Sequence, residues 1–140
     1  MRRIIFVALL FCFIQAYAKT PPIPEALLNA KTAYVGNRGA ALKDYDRLCN
    51  LLKEWGRFEL VPDSQKADII ITISAQVQNR VYQGTNIGIS GNVSTIQVIV
   101  NYLTILDAKN LAQLWSDETT GDSNDPRQFI SNLKNKMKKK

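Results

Sequence analysis

The chain of 140 residues has the length of one domain and contains two cysteines and no histidine. Without histidine, the sequence excludes histidine-ligated zinc or haem, and it excludes every serine–histidine or cysteine–histidine catalytic pair. The formal net charge is +6, but five of the basic residues lie together at the C-terminal end: Lys134, Lys136, Lys138, Lys139 and Lys140. We therefore expect no metal or other cofactor, and carboxylates are the only common catalytic groups left.

The N-terminal segment has the three regions of a secretory signal peptide. Arg2 and Arg3 form a basic region, residues 4–14 form an apolar region, and residues 16–18 form a small-x-small cleavage signal. The apolar run is shorter than a transmembrane helix requires. We expect export to the periplasm or the medium with cleavage of this segment. The alternative is an uncleaved segment that stays as an anchor.

The remaining chain divides into a linker and one domain. Residues 1–18 are the predicted signal peptide, residues 19–30 with their three prolines form a linker, and residues 31–140 form a single α+β domain. After cleavage no transmembrane span is expected. Only Cys49 would remain, so no intramolecular disulfide is possible. Cys49 lies on the apolar side of a predicted helix, and we interpret it as a small buried hydrophobe.

The first half of the domain contains strands around one strongly amphipathic helix. Residues 31–35 predict a short strand that ends at the turn-forming residues 36–39. A helix follows, with Gly56 as its C-terminal stop. Its apolar residues recur at three- and four-residue spacing: Leu42, Tyr45, Leu48, Cys49, Leu52 and Trp55. Residues 57–61 and 67–75 predict two further strands.

The segment from Gln76 to Asn92 differs from its surroundings because it is polar and rich in glycine. It predicts a projecting hairpin arm or a flexible loop between two central strands. Exposed loops often carry binding residues. Four polar side chains are therefore candidate partner-binding residues: Gln78, Arg80, Tyr82 and Asn86.

Residues 93–118 predict a β-hairpin around which the other elements are arranged. A long β-branched run reaches a polar turn at residues 107–110, where Asn110 tolerates a left-handed conformation, and a second apolar run returns. Both faces of the first run are apolar, which is typical of a central strand. We expect Leu114 or Trp115 to anchor the core.

The last predicted helix begins with Asp125 as a cap and Pro126 at the first helical position. Its apolar stripe contains Phe129, Ile130, Leu133 and Met137. Taken together, the elements predict an α+β fold. It is a two-layer sandwich in which a mostly antiparallel sheet of about five strands is packed by two amphipathic helices.

Two stretches resemble a known group of proteins. They contain W-G-R-F at residues 55–58, A-D-I-I at residues 67–70, and D-x-x-x-x-x-x-L-W at residues 107–115. These motifs are similar to those of uncharacterised secreted bacterial proteins. The element order loosely resembles the envelope α/β domains of the TolB amino-terminal and LpoB type. The resemblance implies export and an envelope-type α/β domain, and it carries over no catalytic residue.

We interpret the sequence first as a non-enzymatic exported module that binds or assembles with an unidentified envelope protein, through residues 76–92 or an exposed sheet edge. One alternative is a small carboxylate-dependent hydrolase using Asp117, Glu118 and Asp122. A third is a weak binder of anionic surfaces through the C-terminal lysines Lys136, Lys138, Lys139 and Lys140. We expect no nucleic acid, because the lysine run lacks arginines and interleaved aromatic residues.

Overall fold

The computed structural model describes residues 22–83, 93–119 and 125–138, and for residues 82, 83, 93 and 94 it describes the backbone alone. The elements in these ranges are α1 (Glu25–Asn29), β1 (Thr32–Arg38), α2 (Leu42–Trp55), β2 (Glu59–Leu60), β3 (Ile69–Gln83), β4 (Val93–Asp107), β5 (Gln113–Thr119) and α3 (Pro126–Lys138).

The five strands form one sheet in the order β2-β1-β3-β4-β5. β1 runs parallel to both β2 and β3, while β3, β4 and β5 form an antiparallel series. The β3–β4 pair is the longest, and its register runs without interruption from Ile69↔Asp107 to Gln83↔Val93. The predicted α+β class with a mostly antiparallel sheet is confirmed.

The hydrophobic core lies between one face of the sheet and the helices. Successive side chains of a strand point to opposite faces, so every second residue of β1, β3 and β4 contributes to the core. The fully buried strand residues include Ile71, Ile73, Leu103 and Ile105. The helices contribute Leu48 and Leu52 from α2, and Phe129, Ile130 and Leu133 from α3.

Both long helices begin and end close to the predicted positions. Gly56 ends α2 in the left-handed conformation with φ of 65°, and its N–H donates to the carbonyl of Leu52. At the start of α3, Oδ1 of Asp125 accepts a hydrogen bond of 3.0 Å from the backbone N–H of Arg127. The predicted cap and stop signals are therefore both used in the structure.

β1 is longer than the sequence predicts. It continues through Gly36, Asn37 and Arg38 because β3 pairs with each of these residues in parallel register. The turn comes immediately afterwards. There the side-chain amide of Asn37 donates to the carbonyl of Ala40 and accepts from its N–H. Turn-forming residues can therefore stay extended when a neighbouring strand satisfies their backbone groups.

The expected linker contains a structural element, since α1 lies within residues 19–30. Leu27 of α1 and the following Ala30 are buried in the core. The guanidinium of Arg57 donates hydrogen bonds to the carbonyls of Leu28 and Ala30, which holds the end of α1 against the segment after α2. The folded body therefore begins before residue 31.

The turn between β4 and β5 differs from the prediction in one detail. Leu111, and not Asn110, takes the left-handed conformation, with φ of 59°. Oδ1 of Asn110 accepts a hydrogen bond of 2.9 Å from the N–H of Ala112, and this bond folds the backbone back over Leu111.

The edge of the sheet next to β1 is only partly covered. β2 has two residues, and it pairs with Thr32 and Ala33 alone. Beyond them, the hydroxyl of Tyr45 in α2 donates a hydrogen bond of 3.2 Å to the carbonyl of Val35. A side chain from α2 thus occupies a strand-edge acceptor that β2 does not reach.

Candidate functional site

The ends of β3 and β4 form a ribbon that continues past the helices. We call this ribbon, residues 76–83 and 93–100, the arm. Ile73 and Leu103 are fully buried under the helices, whereas Val77 and Ile99, further along the same face, are 65% and 55% exposed. The segment predicted as an arm or a loop is a paired β-ribbon as far as Gln83, and residues 84–92 lie outside the described residues.

One face of the arm carries exposed aliphatic side chains. Val77 and Ile99 are directly opposite each other in the register, and Val81, 64% exposed, follows on the same face. We call Val77, Val81 and Ile99 the arm stripe. The stripe continues the buried face of the sheet into solvent, so it is a piece of core-like surface that no helix in the described ranges covers.

A groove of about 790 Å³ lies at the base of the arm, and we call it the arm groove. The starts of α2 and α3 form its walls, and Ala75 and Ile99 line it from the sheet. Asn101 is buried there, and its side-chain amide lies 3.5 Å from Oδ2 of Asp44. The exposed stripe and the arm groove share Ile99, so they form one continuous surface.

The charges around the arm groove are arranged mainly to join α2 to α3. Nε of Arg47 lies 3.2 Å from Oδ1 of Asp125, and Arg127 pairs with Oδ2 of the same carboxylate. Burial alone would raise the pKa of Asp125. The hydrogen bonds from Arg127 and the charge of Arg47 outweigh that effect and lower the pKa below its ordinary value. Asp125 is therefore a charged anchor for the helix start.

The candidate partner-binding residues of the sequence lie mainly on the other face of the arm or outside the described residues. Gln78 is half-buried and donates a side-chain hydrogen bond to the hydroxyl of Tyr102, and Arg80 is half-buried on the same face. Tyr82 belongs to β3, but its side chain is not described, and Asn86 lies outside the described residues. Their role in partner binding stays a prediction.

Sequence reasoning missed the arm stripe, although a signal for it was present. Val77 and Val81 lie an even number of residues after Ile73, so both fall on the face of the strand that Ile73 occupies, although the polar Asn79 interrupts the apolar series. The structure shows that the pairing of β3 with β4 continues without a break beyond the core.

The two described carboxylates of the hydrolase hypothesis, Asp117 and Glu118, are not brought together. Asp117 lines a groove of about 670 Å³ beside Trp115, and Oδ2 of Asp117 accepts a hydrogen bond of 2.7 Å from Asn132 of α3. Glu118 is the next residue of the same strand, so its side chain points to the opposite face of the sheet. Asp122 lies outside the described residues.

The described residues also offer little support for a metal site or a reactive thiol. No cluster of three or more acidic or cysteine side chains there has the arrangement of a metal site. Cys49 is half-buried against the core, and burial raises the pKa of its thiol. A protonated thiol packed among apolar side chains has the character of a small hydrophobe.

The C-terminal lysines lie over two different grooves. Lys136 lines the groove beside Trp115, whereas Lys138 lines a third groove, about 620 Å³ in volume, between the end of α3 and Trp55. Lys139 and Lys140 lie outside the described residues.

Among the helices that the structure describes, none combines the length and the hydropathy of a membrane-spanning segment.

No protein-family model and no curated protein matches this sequence. The solved structures that are similar to it include bacterial lipoproteins. One is the lipoprotein GNA1162 from Neisseria meningitidis, with 13% identity and a TM-score of 0.38 over 76% of this chain and 97% of that one.

Two further structures are similar in kind. An uncharacterized lipoprotein B from Nitrosomonas europaea has 22% identity and a TM-score of 0.43 over 78% of this chain and 76% of that one. A PelC dodecamer from Paraburkholderia phytofirmans has 18% identity and a TM-score of 0.40 over 79% of this chain and 88% of that one. GNA1162 and lipoprotein B are bacterial lipoproteins, in agreement with the loose resemblance to envelope domains drawn from the sequence.

Proposed function

We propose that this chain is an exported, non-enzymatic binding module of the bacterial cell envelope, and that it docks a partner protein on the arm stripe. The observation that carries the proposal is the exposure of Val77, Val81 and Ile99 on one face of a paired ribbon beyond the helices. The N-terminal sequence, with its basic, apolar and cleavage regions, supports export.

The arrangement of the stripe distinguishes it from ordinary surface hydrophobes. Isolated apolar side chains are common on protein surfaces, whereas exposed apolar side chains grouped on one face of a strand pair are candidates for an interaction site. Val77 and Ile99 are cross-strand partners, and Val81 follows on the same face beyond the polar pair of Asn79 and Gln97. Complete burial of such a side chain is worth roughly 1.5–3 kcal/mol, so the three together can supply the centre of an interface.

The arm is also well prepared for binding. Its two strands are joined by a regular ladder from Ala75↔Asn101 to Gln83↔Val93. The stripe is therefore held in position before a partner arrives, and little backbone entropy is lost on docking. Lys43 and Arg47 at the arm groove add a polar rim beside Ile99. A partner that fits presents an apolar patch to the stripe and polar groups to this rim.

Site-specific photocrosslinking in cells tests the proposal. A benzophenone side chain placed at Val81 of the full chain is expected to give an adduct of defined mass with an envelope protein. Changing Val77→Asn and Ile99→Asn in the same chain removes two-thirds of the stripe, and we expect the adduct yield to fall at least about tenfold, the equivalent of 1.4 kcal/mol.

The matched control changes two exposed leucines outside the arm. Leu42 is 74% exposed at the start of α2 and Leu111 is 62% exposed in the β4–β5 turn. The Leu42→Asn and Leu111→Asn double variant loses similar apolar surface, and its adduct yield is expected to stay unchanged. Equal losses in both double variants, or no adduct from position 81, would contradict the proposal.

A further inference from the structure

The third groove has a composition that the arm does not share. It lies between the end of α1, the segment after α2 and the last turns of α3, and its volume is about 620 Å³. We call it the basic groove, and its lining includes Leu28, Trp55, Arg57, Lys134, Met137 and Lys138. None of its lining residues is acidic.

None of the ion pairs between described residues neutralises its positive charges. Those ion pairs join Arg47 and Arg127 to Asp125, in the first half of α2 and at the start of α3. Nζ of Lys134 instead lies 5.4 Å from the ring centroid of Trp55, and Arg57 donates to two backbone carbonyls. Three cations around a concave surface with apolar walls give a concentrated positive potential.

The apolar side chains of the basic groove are half-buried. Trp55 makes an edge-to-face contact with Phe58 at a centroid distance of 5.5 Å, and the ammonium of Lys134 lies over the ring of Trp55. Leu28 and Met137 are also half-buried. A tryptophan that contacts both an apolar ring and a cation suits the boundary between water and acyl chains, where this residue is enriched in membrane proteins.

We propose that the basic groove binds the anionic headgroup of a phospholipid at a membrane surface, with its phosphate beside Lys134 and Lys138 and its glycerol end against Trp55 and Met137. An acidic peptide is the competing occupant. The groove favours the lipid because side chains and a helix end form its walls, with no free strand edge to pair with a peptide backbone. The site is separate from the arm stripe, so the two proposals stand or fall independently.

The proposal also changes which lysines are expected to contact an anionic surface. The sequence interpretation placed anionic contact on Lys136, Lys138, Lys139 and Lys140. The geometry instead joins Lys138 to Lys134, one helical turn earlier, and places Lys136 over the groove beside Trp115. Lipid binding is therefore expected to depend on one face of α3.

Cosedimentation with vesicles tests the proposal. The full chain and its variants are mixed with vesicles of phosphatidylcholine containing one-quarter phosphatidylglycerol, and with vesicles of phosphatidylcholine alone. The Lys134→Gln and Lys138→Gln double variant is expected to bind the anionic vesicles roughly twenty-fivefold more weakly, from about fivefold for each lysine near an anionic surface. The Lys134→Arg and Lys138→Arg variant is expected to bind like the parent chain.

The matched control is the Lys66→Gln and Lys109→Gln double variant, which removes the same charge from exposed lysines outside the basic groove. It is expected to lose less than about threefold, since distant charges are screened beyond roughly 10 Å. Vesicles of phosphatidylcholine alone measure any binding through the apolar N-terminal segment, and that binding is subtracted for every chain. Circular dichroism confirms that each variant is folded.

Equal losses in the two double variants would show a general charge effect and overturn the proposal. Unchanged binding of the Lys134→Gln and Lys138→Gln variant would overturn it as well. A hexaglutamate peptide is the third ligand to be tested. If that peptide binds in a way that depends on Lys134 and Lys138 while the anionic vesicles do not, the occupant is an acidic peptide and the lipid assignment is wrong.

Discussion

At the scale of single residues, Leu111 is in an unfavourable backbone conformation. Its φ of 59° lies in the left-handed region, which costs a residue with a Cβ roughly 1–2 kcal/mol. Its side chain is largely exposed, so packing repays little of this cost. The conformation is imposed by the neighbours, because Asn110 and Asp107 both fold the turn through side-chain hydrogen bonds.

Replacing Leu111 by asparagine is therefore expected to stabilise the protein. Asparagine tolerates the left-handed region better than leucine, and we expect the free energy of unfolding to rise by about 0.5–1 kcal/mol. Urea denaturation followed by circular dichroism measures the change. Leu42→Asn is the comparison, since Leu42 is also largely exposed but helical. A loss of stability in Leu111→Asn would show that the leucine side chain has a packing role.

The turn also illustrates what the sequence can predict of local structure. Asp107 and Asn110 predicted the position of the turn correctly, because both side chains bond to nearby backbone amides. The residue that takes the positive φ could not be predicted. That residue is decided by which backbone N–H donates to the side chain of Asn110, and in the structure the donor is the N–H of Ala112.

At the scale of elements, Asp68 joins the starts of β1 and β3. Its Oδ2 accepts hydrogen bonds of 2.8 and 3.0 Å from the backbone N–H groups of Lys31 and Thr32. The N–H of Asp68 in turn donates to the hydroxyl of Thr32. The two backbone donors lower the pKa of Asp68 below its ordinary value of 3.8. This carboxylate therefore helps to fix the parallel register of the two strands.

The pH dependence follows from the direction of this shift. Because the pKa of Asp68 is lower in the folded state, its stabilising effect is fully present above pH 3.8 and is lost as the pH falls through the folded-state pKa. Asp68→Asn is expected to lower the free energy of unfolding by only about 1 kcal/mol at neutral pH, because the carboxylate is exposed to solvent. Near pH 3 the loss is expected to be clearly smaller, because the parent carboxylate is then partly protonated.

Urea denaturation of the parent chain and Asp68→Asn at both pH values checks this expectation. Asp46→Asn is the control. It removes an exposed carboxylate of α2 and is expected to change the free energy of unfolding little at either pH. A cost of Asp68→Asn that does not depend on pH would mean that the charge of the carboxylate is unimportant.

Elements with a strong local signal were predicted well, and those that depend on distant partners were not. The apolar spacing of α2 and its stop at Gly56 are local features, and the helix ends where expected. The extension of β1 through Gly36 and the length of β3 are decided by pairing with other strands. The arm stripe was missed for the same reason, because its exposure depends on where the helices end.

At the scale of the whole molecule, the folded body includes more of the N-terminal region than expected. Leu27 of α1 has no exposed surface and belongs to the main core cluster. α1 has five residues, too few for a stable helix on its own, so its structure depends on this packing. The proline-rich composition before it had suggested a linker for the whole of residues 19–30.

Leu27→Ala is expected to lower the free energy of unfolding by about 2–5 kcal/mol, because it removes buried methyl groups and leaves a cavity. Leu42→Ala is the matched control and is expected to change stability by less than about 0.5 kcal/mol, since Leu42 is exposed. Urea denaturation of the full chain measures both. Similar small effects in the two variants would show that α1 is not part of the cooperative unit.

The uneven edge beside β1 has a consequence for the behaviour of the protein at high concentration. A row of free strand amides and carbonyls can template the addition of a strand from another molecule, and growth of this kind leads towards fibrils. On this side the two-residue β2 offers too short a row, and the hydroxyl of Tyr45 already holds the carbonyl of Val35. An incoming chain would have to displace both β2 and α2 before it could add to β1, so this border of the sheet resists self-polymerisation.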